Sequence, residues 1–234
     1  IAKDQNYKNI SEIWISGDHY KWRAMRTFGV DEKYITGSSS DEEKFNQWAK
    51  TLPYTIRNPL FHWSQLELAR YFDEFEFLSP TNAKRIYNKT LSQIQDYNFS
   101  ARKLLTQMNV ESLCTTEDPT DSLEHHHKLA KSNFSIKVST AFRPDKSILI
   151  DRTDYNSYID LLSDVSELEI STYSDLLEAL NSRLDYFHVG GCRLSDHGLE
   201  RIPFQITDLE TIKQIFAKRR YGNTLSPLEI EQFQ

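Results

Sequence analysis

Val110-Glu111-Ser112-Leu113-Cys114-Thr115-Thr116-Glu117-Asp118-Pro119 is where the chain changes character, and its reading decides the fold. A short strand is predicted over 110–116, ending in Glu117-Asp118-Pro119, because proline has no N–H to give to a strand ladder. Downstream, a helix is expected over about 120–131, and residues 135–142 alternate Ile136, Val138, Thr140 and Phe142 as a second strand. A longer helical stretch over 155–188 places Leu176, Leu177, Leu180, Leu184 and Phe187 at core spacing and closes at Gly190-Gly191. A third strand is expected over 192–196, then a helix from Thr207, with Glu210 as its capping partner, to Gly222. Three consecutive βα units over 110–234 favour an α/β class with a parallel sheet and crossover helices. An open doubly wound sheet and a closed (β/α)8 barrel both fit. In either, reactive side chains gather at the C-terminal ends of the strands.

Upstream, residues 1–109 read as entirely helical. Ser40 and Glu43 form a capping box ahead of Phe45, Trp48 and Leu52. Asn58-Pro59 opens a helix with Leu60, Trp63, Leu66 and Ala69 on its apolar side, and further helices are expected at 80–95 and 100–108. There is no internal repeat, and Gly37-Ser38-Ser39-Ser40 is a loop. Both ends read as cut. Ile1 has no cap or strand start before it, and the Ser226-Pro227-Leu228-Glu229 capping box launches a helix that stops at Gln234. The expectation is an excerpt of a longer polypeptide.

The 234 residues are 38% hydrophobic and 12% aromatic, enough for a sizeable core. The net charge of −6, with both signs interspersed, argues against a general nucleic-acid binder. Two cysteines, Cys114 and Cys192, make no disulfide framework and suit a reducing cytoplasm. No apolar run approaches the roughly 18 residues of a membrane span, and there is no signal peptide.

Within the helical half, Gly17-Asp18-His19-Tyr20-Lys21-Trp22-Arg23-Ala24-Met25-Arg26 concentrates chemistry. His19, Arg23 and Arg26 share one helix face, Tyr20 sits at its edge, and Trp22 and Met25 form a separate stripe that can be buried. A proton-transfer group beside carboxylate-clamping arginines suits a small acidic molecule, and the alternative is a solvated basic edge. In the second half the strands end in Thr115-Thr116-Glu117-Asp118, Phe142-Arg143-Pro144-Asp145 and Ser195-Asp196-His197, the pattern of an assembled site. Arg143 suits bidentate carboxylate recognition, with an Asp145 ion pair as its structural alternative. His197 could bind metal, relay a proton or orient a hydroxyl, or it could simply bond a neighbouring loop. His125, His126 and His127 lie in a helix, where neighbours diverge, so they read as structural rather than as ligands of one ion. His62 reads as a packed core histidine, and His188 as favourable at a helix C-terminus. Gly-rich phosphate loops, Gly-x-Ser-x-Gly elbows and Cys-x-x-Cys sites are absent, which leaves phosphoryl transfer, serine hydrolysis and a zinc ribbon unsupported.

Several motifs occur together, in order. They are the 17–26 segment, Asn58-Pro59-Leu60-Phe61-His62-Trp63, Asn98-Phe99-Ser100-Ala101-Arg102, Thr115-Thr116-Glu117-Asp118-Pro119, Asp121-Ser122-Leu123-Glu124-His125-His126, Arg143-Pro144-Asp145-Lys146 and Ser195-Asp196-His197. In this order they closely resemble uronate isomerases, also called glucuronate isomerases, from end to end. The resemblance implies an amidohydrolase-type (β/α)8 barrel, TIM-like and partial here, with 1–109 as a helical insertion domain and 110–234 as three barrel units. It also implies reversible conversion of D-glucuronate to D-fructuronate and of D-galacturonate to D-tagaturonate. By the same resemblance Tyr20 and His19 are catalytic candidates. Arg143, Arg23, Asp196, His197, Thr116 and Asp118 are substrate-binding candidates. A divalent metal, with zinc the expected ion, would be held by residues outside this chain. A His-x-His pair would precede Ile1, and a further histidine and an Asp-x-Arg pair would follow Gln234, so the excerpt alone would not turn over substrate. The expected partner is a small-molecule uronate, with neither nucleic acid nor membrane, and a homo-oligomer stays open. Two residues depart from the family pattern: Phe142 where tryptophan is common, and Glu117 where aspartate is. The rival readings are a non-catalytic module binding an acidic ligand and a related amidohydrolase acting on an ester or amide.

Overall fold

A computed structural model of the chain describes residues 1–96, 99–199 and 202–234. Asn98, part of one motif above, lies outside the described residues. The chain divides into two compact units, one over residues 3–109 and one over 110–234.

The first unit is helical: α1 (Ile10–Trp14), α2 (His19–Thr27), α3 (Asp41–Thr51), α4 (Pro59–Phe72), α5 (Ala83–Ile94) and α6 (Ala101–Gln107). Polar caps fix most of the starts. Asn9, Asp18, Asn58 and Ser100 each accept from backbone N–H groups of the first turn, and Ser40 with Glu43 forms the expected capping box. Such a cap contributes about 1 kcal/mol by satisfying donors that have no intrahelical partner. The helices close over Phe45, Trp48, Leu52, Leu68 and Ile86, all fully buried.

Two expectations for α4 are corrected here. Its buried stripe is Leu60, Ser64, Leu68 and Phe72 rather than Leu60, Trp63, Leu66 and Ala69, because the packed face follows steps of four and leaves Trp63 51% exposed. His62 is exposed, not a core histidine.

After α4 the chain turns through Asp73 in the left-handed region, and Glu74 is buried beneath two cations. Arg85 grips it bidentately at 2.8 and 3.1 Å, and Lys89 lies 3.3 Å away. The Arg85 hydrogen bonds hold the Glu74 carboxyl down at about 2. A depressed carboxylate stabilises the fold above its unfolded pKa and loses that contribution as pH falls from about 4.5 toward 2. Glu74→Gln is therefore expected to lower stability by about 2 kcal/mol at pH 7, the arginine being half exposed and screened. Thermal unfolding followed by circular dichroism should show the gap to wild type closing between pH 4.5 and 2.

The second unit is α/β: β1 (Ser112–Glu117), α7 (Glu124–Ala130), β2 (Lys137–Phe142), α8 (Asp145–Ile148), α9 (Tyr155–Ser166), α10 (Tyr173–Val189), β3 (Leu194–Ser195), α11 (Leu209–Arg220) and α12 (Pro227–Phe233). The strands form one parallel sheet in chain order, with helical crossovers between them, as three βα units require. Phe142 and Phe187 meet edge to face, with Leu123 and Cys192 around them. A second core joins Tyr155, Ile159, Leu162, Leu176 and Phe216. No helix among the described residues is long and apolar enough to cross a membrane.

The expected long helix over 155–188 is two helices. Glu167 adopts a left-handed conformation that ends α9, and a Thr172–Asp175 capping box starts α10. On α10 the buried face is Leu176, Ala179, Arg183 and Phe187, while Leu177 and Leu184 are each 44% exposed. The third strand is shorter than 192–196. The helix expected from Thr207 is capped instead by Asp208, which accepts from Thr211. Arg183, a charged residue at a core position, donates to the carbonyls of Pro119 (2.7 Å), Asp121 (2.9 Å) and Val165 (3.2 Å). Its guanidinium also lies 4.2 Å from the Tyr186 ring centroid.

Candidate functional site

The sheet register brings three strand ends level. Glu117 is paired with Phe142 and Phe142 with Ser195, so the next residues, Asp118, Arg143 and Asp196, emerge together. Arg143 meets Asp196 as a two-pronged pair, Nε to Oδ1 at 3.2 Å and Nη2 to Oδ2 at 2.5 Å. The Thr116 hydroxyl donates to Asp196 Oδ2 at 3.4 Å. Hydrogen bonding to Arg143 holds the Asp196 carboxyl below the usual carboxylate range, and the same bond raises the arginine. Arg143 Nη1 has no partner among the described residues, so the guanidinium keeps a donor edge for a second anion.

Asp145, the alternative partner for Arg143, is 3.9 Å from its Nε and does other work. One Asp145 oxygen accepts from His197 Nδ1 at 2.7 Å, and the other accepts the Gly198 N–H at 2.7 Å. His197 is thus held through Nδ1 by a carboxylate, which leaves Nε2 as its second functional nitrogen. Asp118 is a turn former. It accepts from the Thr120 N–H at 3.0 Å and hydroxyl at 2.8 Å, and Lys146 sits 3.4 Å from its other oxygen.

One part of this end was not singled out from the sequence. Thr115 and Glu117 lie two apart on β1 and share a face. The Thr115 hydroxyl donates to Glu117 at 2.7 Å and lies 2.8 Å from His126 Nε2. The histidine triplet behaves as its helical spacing demands: His126 turns toward the strand while His125 and His127 face solvent. Among the described residues no three His, Cys, Asp or Glu side chains are placed to hold a metal ion.

The other candidates lie in the helical unit. Asp18 caps α2, accepting from the backbone N–H of Tyr20 (3.0 Å) and Lys21 (3.2 Å), while its second oxygen pairs with Lys21 Nζ at 2.7 Å. His19 and Tyr20 are exposed, with ring centroids 4.3 Å apart. The buried stripe of α2 differs from expectation. Met25 is buried, but its companion is Lys21, whose ammonium lies 5.6 Å from the Trp14 ring and 5.8 Å from Trp48, while Trp22 is half-buried. Below it, Glu67 accepts from Trp14 Nε1 at 2.5 Å, and burial pushes its carboxyl up. Arg26 is taken by Glu32 at 2.8 and 2.6 Å, whereas the Arg23 guanidinium has no partner among the described residues. Arg23 and Tyr20 line a groove of about 710 Å³ with Phe28, Tyr54 and Trp63. The structure thus joins Thr116, Arg143, Asp196 and, through Asp145, His197. His19, Tyr20 and Arg23 belong to the other unit.

Known proteins match the chain over its whole length. The family model described as glucuronate isomerase covers residues 1–234. The uronate isomerase of Flavobacterium johnsoniae is 51% identical over 234 residues, all of this chain and 50% of that protein. That of Geobacillus thermodenitrificans is 48% identical over 235 residues, again all of this chain and 50% of the relative. Among solved structures, the uronate isomerase of Thermotoga maritima superposes with a TM-score of 0.92 at 31% identity, over 99% of this chain and 51% of that one. The chain spans about half the length of the relatives it matches. The unbroken match from the first residue to the last shows that it belongs to the glucuronate isomerase family.

Proposed function

We propose that this chain is part of a uronate isomerase of its relatives' length, interconverting D-glucuronate with D-fructuronate and D-galacturonate with D-tagaturonate. In such an aldose–ketose isomerisation the C2–H leaves as a proton, an enediolate forms, and a proton is delivered to C1 while the carbonyl moves to C2. The reaction needs a proton carrier, a stabiliser of the developing oxyanion and a cation for the C6 carboxylate. We assign proton transfer to Tyr20 with His19 beside it, and carboxylate binding to Arg143, with Arg23 as a further cation. Asp196 holds the Arg143 fork in plane, Thr116 braces Asp196, and His197 offers its Nε2 to a substrate hydroxyl. Asp118 shapes the loop after β1. The sheet is assigned to a (β/α)8 barrel and residues 1–109 to a helical insertion. The resemblance implies a divalent metal, zinc in this reading, held by residues outside this chain, and no step is routed through it.

The observation that carries the reading is the Arg143–Asp196 pair with a free Nη1 edge at aligned strand ends. It is tested in the family-length protein by Arg143→Met and Arg143→Lys. Removing the guanidinium that offers its Nη1 edge to the substrate carboxylate is expected to cut kcat/KM for D-glucuronate by about 100-fold, mostly through KM. Lysine, a point charge, recovers only part of it. Unchanged kinetics in both variants would remove Arg143 from the site.

A further inference from the structure

We propose that Lys21 is a positioning residue for Tyr20: its buried ammonium holds the Asp18 cap in one orientation, and that cap sets the first turn of α2. The inference rests on the assignment of proton transfer to Tyr20 and adds to it a residue inside the helical core. Lys21 is the one buried lysine among the described residues, at 5% exposed. Lysines are seldom buried unless paired, because the ammonium gives up its water. This one replaces the water with Asp18 Oδ2 at 2.7 Å and with two indole faces, whose centroids lie 5.6 Å (Trp14) and 5.8 Å (Trp48) away. Both tryptophans are themselves buried. Trp14 stacks on Phe45 with ring centroids 6.0 Å apart and donates Nε1 to Glu67 of α4 at 2.5 Å. Residues of α1, α2, α3 and α4 thus converge on one ammonium, all within the helical unit.

Stability alone does not call for a charge at this position. A buried ion pair is often matched or bettered by apolar side chains of similar size, because desolvation offsets its attraction. The other buried residue of α2, Met25, is apolar. What an ammonium does and a thioether cannot is occupy one Asp18 oxygen. That leaves Oδ1 for the backbone N–H groups of Tyr20 at 3.0 Å and Lys21 at 3.2 Å. With Oδ2 released, the carboxylate is free to rotate, its oxygens exchange with water, and the first turn frays. His19 and Tyr20 are the first two residues of that turn. A reacting group displaced by about 1 Å can lose on the order of 100-fold in rate.

The test combines amide hydrogen exchange with steady-state kinetics on the family-length protein, using Lys21→Met and the double variant Asp18→Asn/Lys21→Met. Asparagine still caps a helix, so the double variant keeps a cap and leaves no charge unpaired. In both, the Tyr20 amide should exchange about tenfold faster while the α3 amides keep their protection. The kcat for D-glucuronate should fall at least about tenfold, with KM within about twofold of wild type. Glu74→Gln, which loses stability in the same unit, should keep the wild-type kcat. Added to Tyr20→Phe, Lys21→Met should change kcat by less than about twofold, because the group it aims is gone. Wild-type exchange at Tyr20, wild-type kcat in both variants, or fully additive losses with Tyr20→Phe overturns the proposal and leaves the isomerase reading standing. A wild-type protein that does not convert the sugar rejects that reading, and the exchange of the Tyr20 amide then decides alone whether Lys21 sets the turn.

Discussion

Tyr20→Phe in the family-length protein is expected to lower kcat for D-glucuronate isomerisation by about 100- to 10,000-fold, the usual contribution of a positioned proton-transfer group. The change deletes one hydroxyl from a 57% exposed ring, so stability should not move. Everything that aims the side chain survives the substitution. The Asp18 cap bonds the backbone N–H of residue 20, and the ring contact with His19 needs no hydroxyl. Since the hydroxyl acts in the transition state more than in binding, KM should change little. Steady-state kinetics with a circular-dichroism melt separate the two effects. A variant within about threefold of wild-type kcat would assign the proton transfer to another group.

The largest stability effect is expected at Arg183. Its guanidinium is buried on α10 and satisfies three carbonyls from two separate segments, 119–121 and Val165, with the Tyr186 ring stacked against it. Burial pulls its pKa down, but the carbonyl cage is built for a planar multi-donor head. Arg183→Leu fills the apolar part of the site and leaves three carbonyls without a donor, at about 3 kcal/mol in total after partial hydration. For a chain of 234 residues that corresponds to a melting point lower by roughly 6–12 °C. Arg183→Lys should recover less than half, because one ammonium cannot reach all three carbonyls in the same geometry. The loop it clamps carries Asp118 and leads from β1, so limited proteolysis of the variant should begin at 118–122. A melting point within 2 °C of wild type would show that the carbonyls find other donors.

The fold was most legible where chemistry is local. Caps such as Ser40–Glu43 and Ser226–Glu229 and the proline after Asn58 act within a few residues and take the form the sequence predicts; the run ending at Phe142 forms a strand, but Thr140, Ala141 and Phe142 are buried in succession rather than in alternation. Buried faces were less legible, because they depend on what packs opposite. On α4 the stripe advances by fours and leaves Trp63 outside. On α10 it takes in Arg183 and excludes Leu177 and Leu184, a choice made by carbonyls distant in sequence. The break between α9 and α10 was missed because Leu168 and Ile170 keep the apolar spacing going through a left-handed Glu167. At the strand ends, residue types pointed to Arg143, Asp196 and His197. Pairing Arg143 with Asp196 rather than with the nearer-in-sequence Asp145 follows from sheet register, which no local pattern encodes. The Thr115–His126 contact likewise needs α7 to lie against the sheet.

The most direct test is conversion of D-glucuronate to D-fructuronate followed by NMR, using the family-length wild-type protein and its Tyr20→Phe and Arg143→Met variants side by side. The account predicts ketose formation by the wild type and at least about 100-fold slower formation by each variant, with all three proteins equally folded. No conversion by the wild type, or conversion by both variants at the wild-type rate, would contradict it.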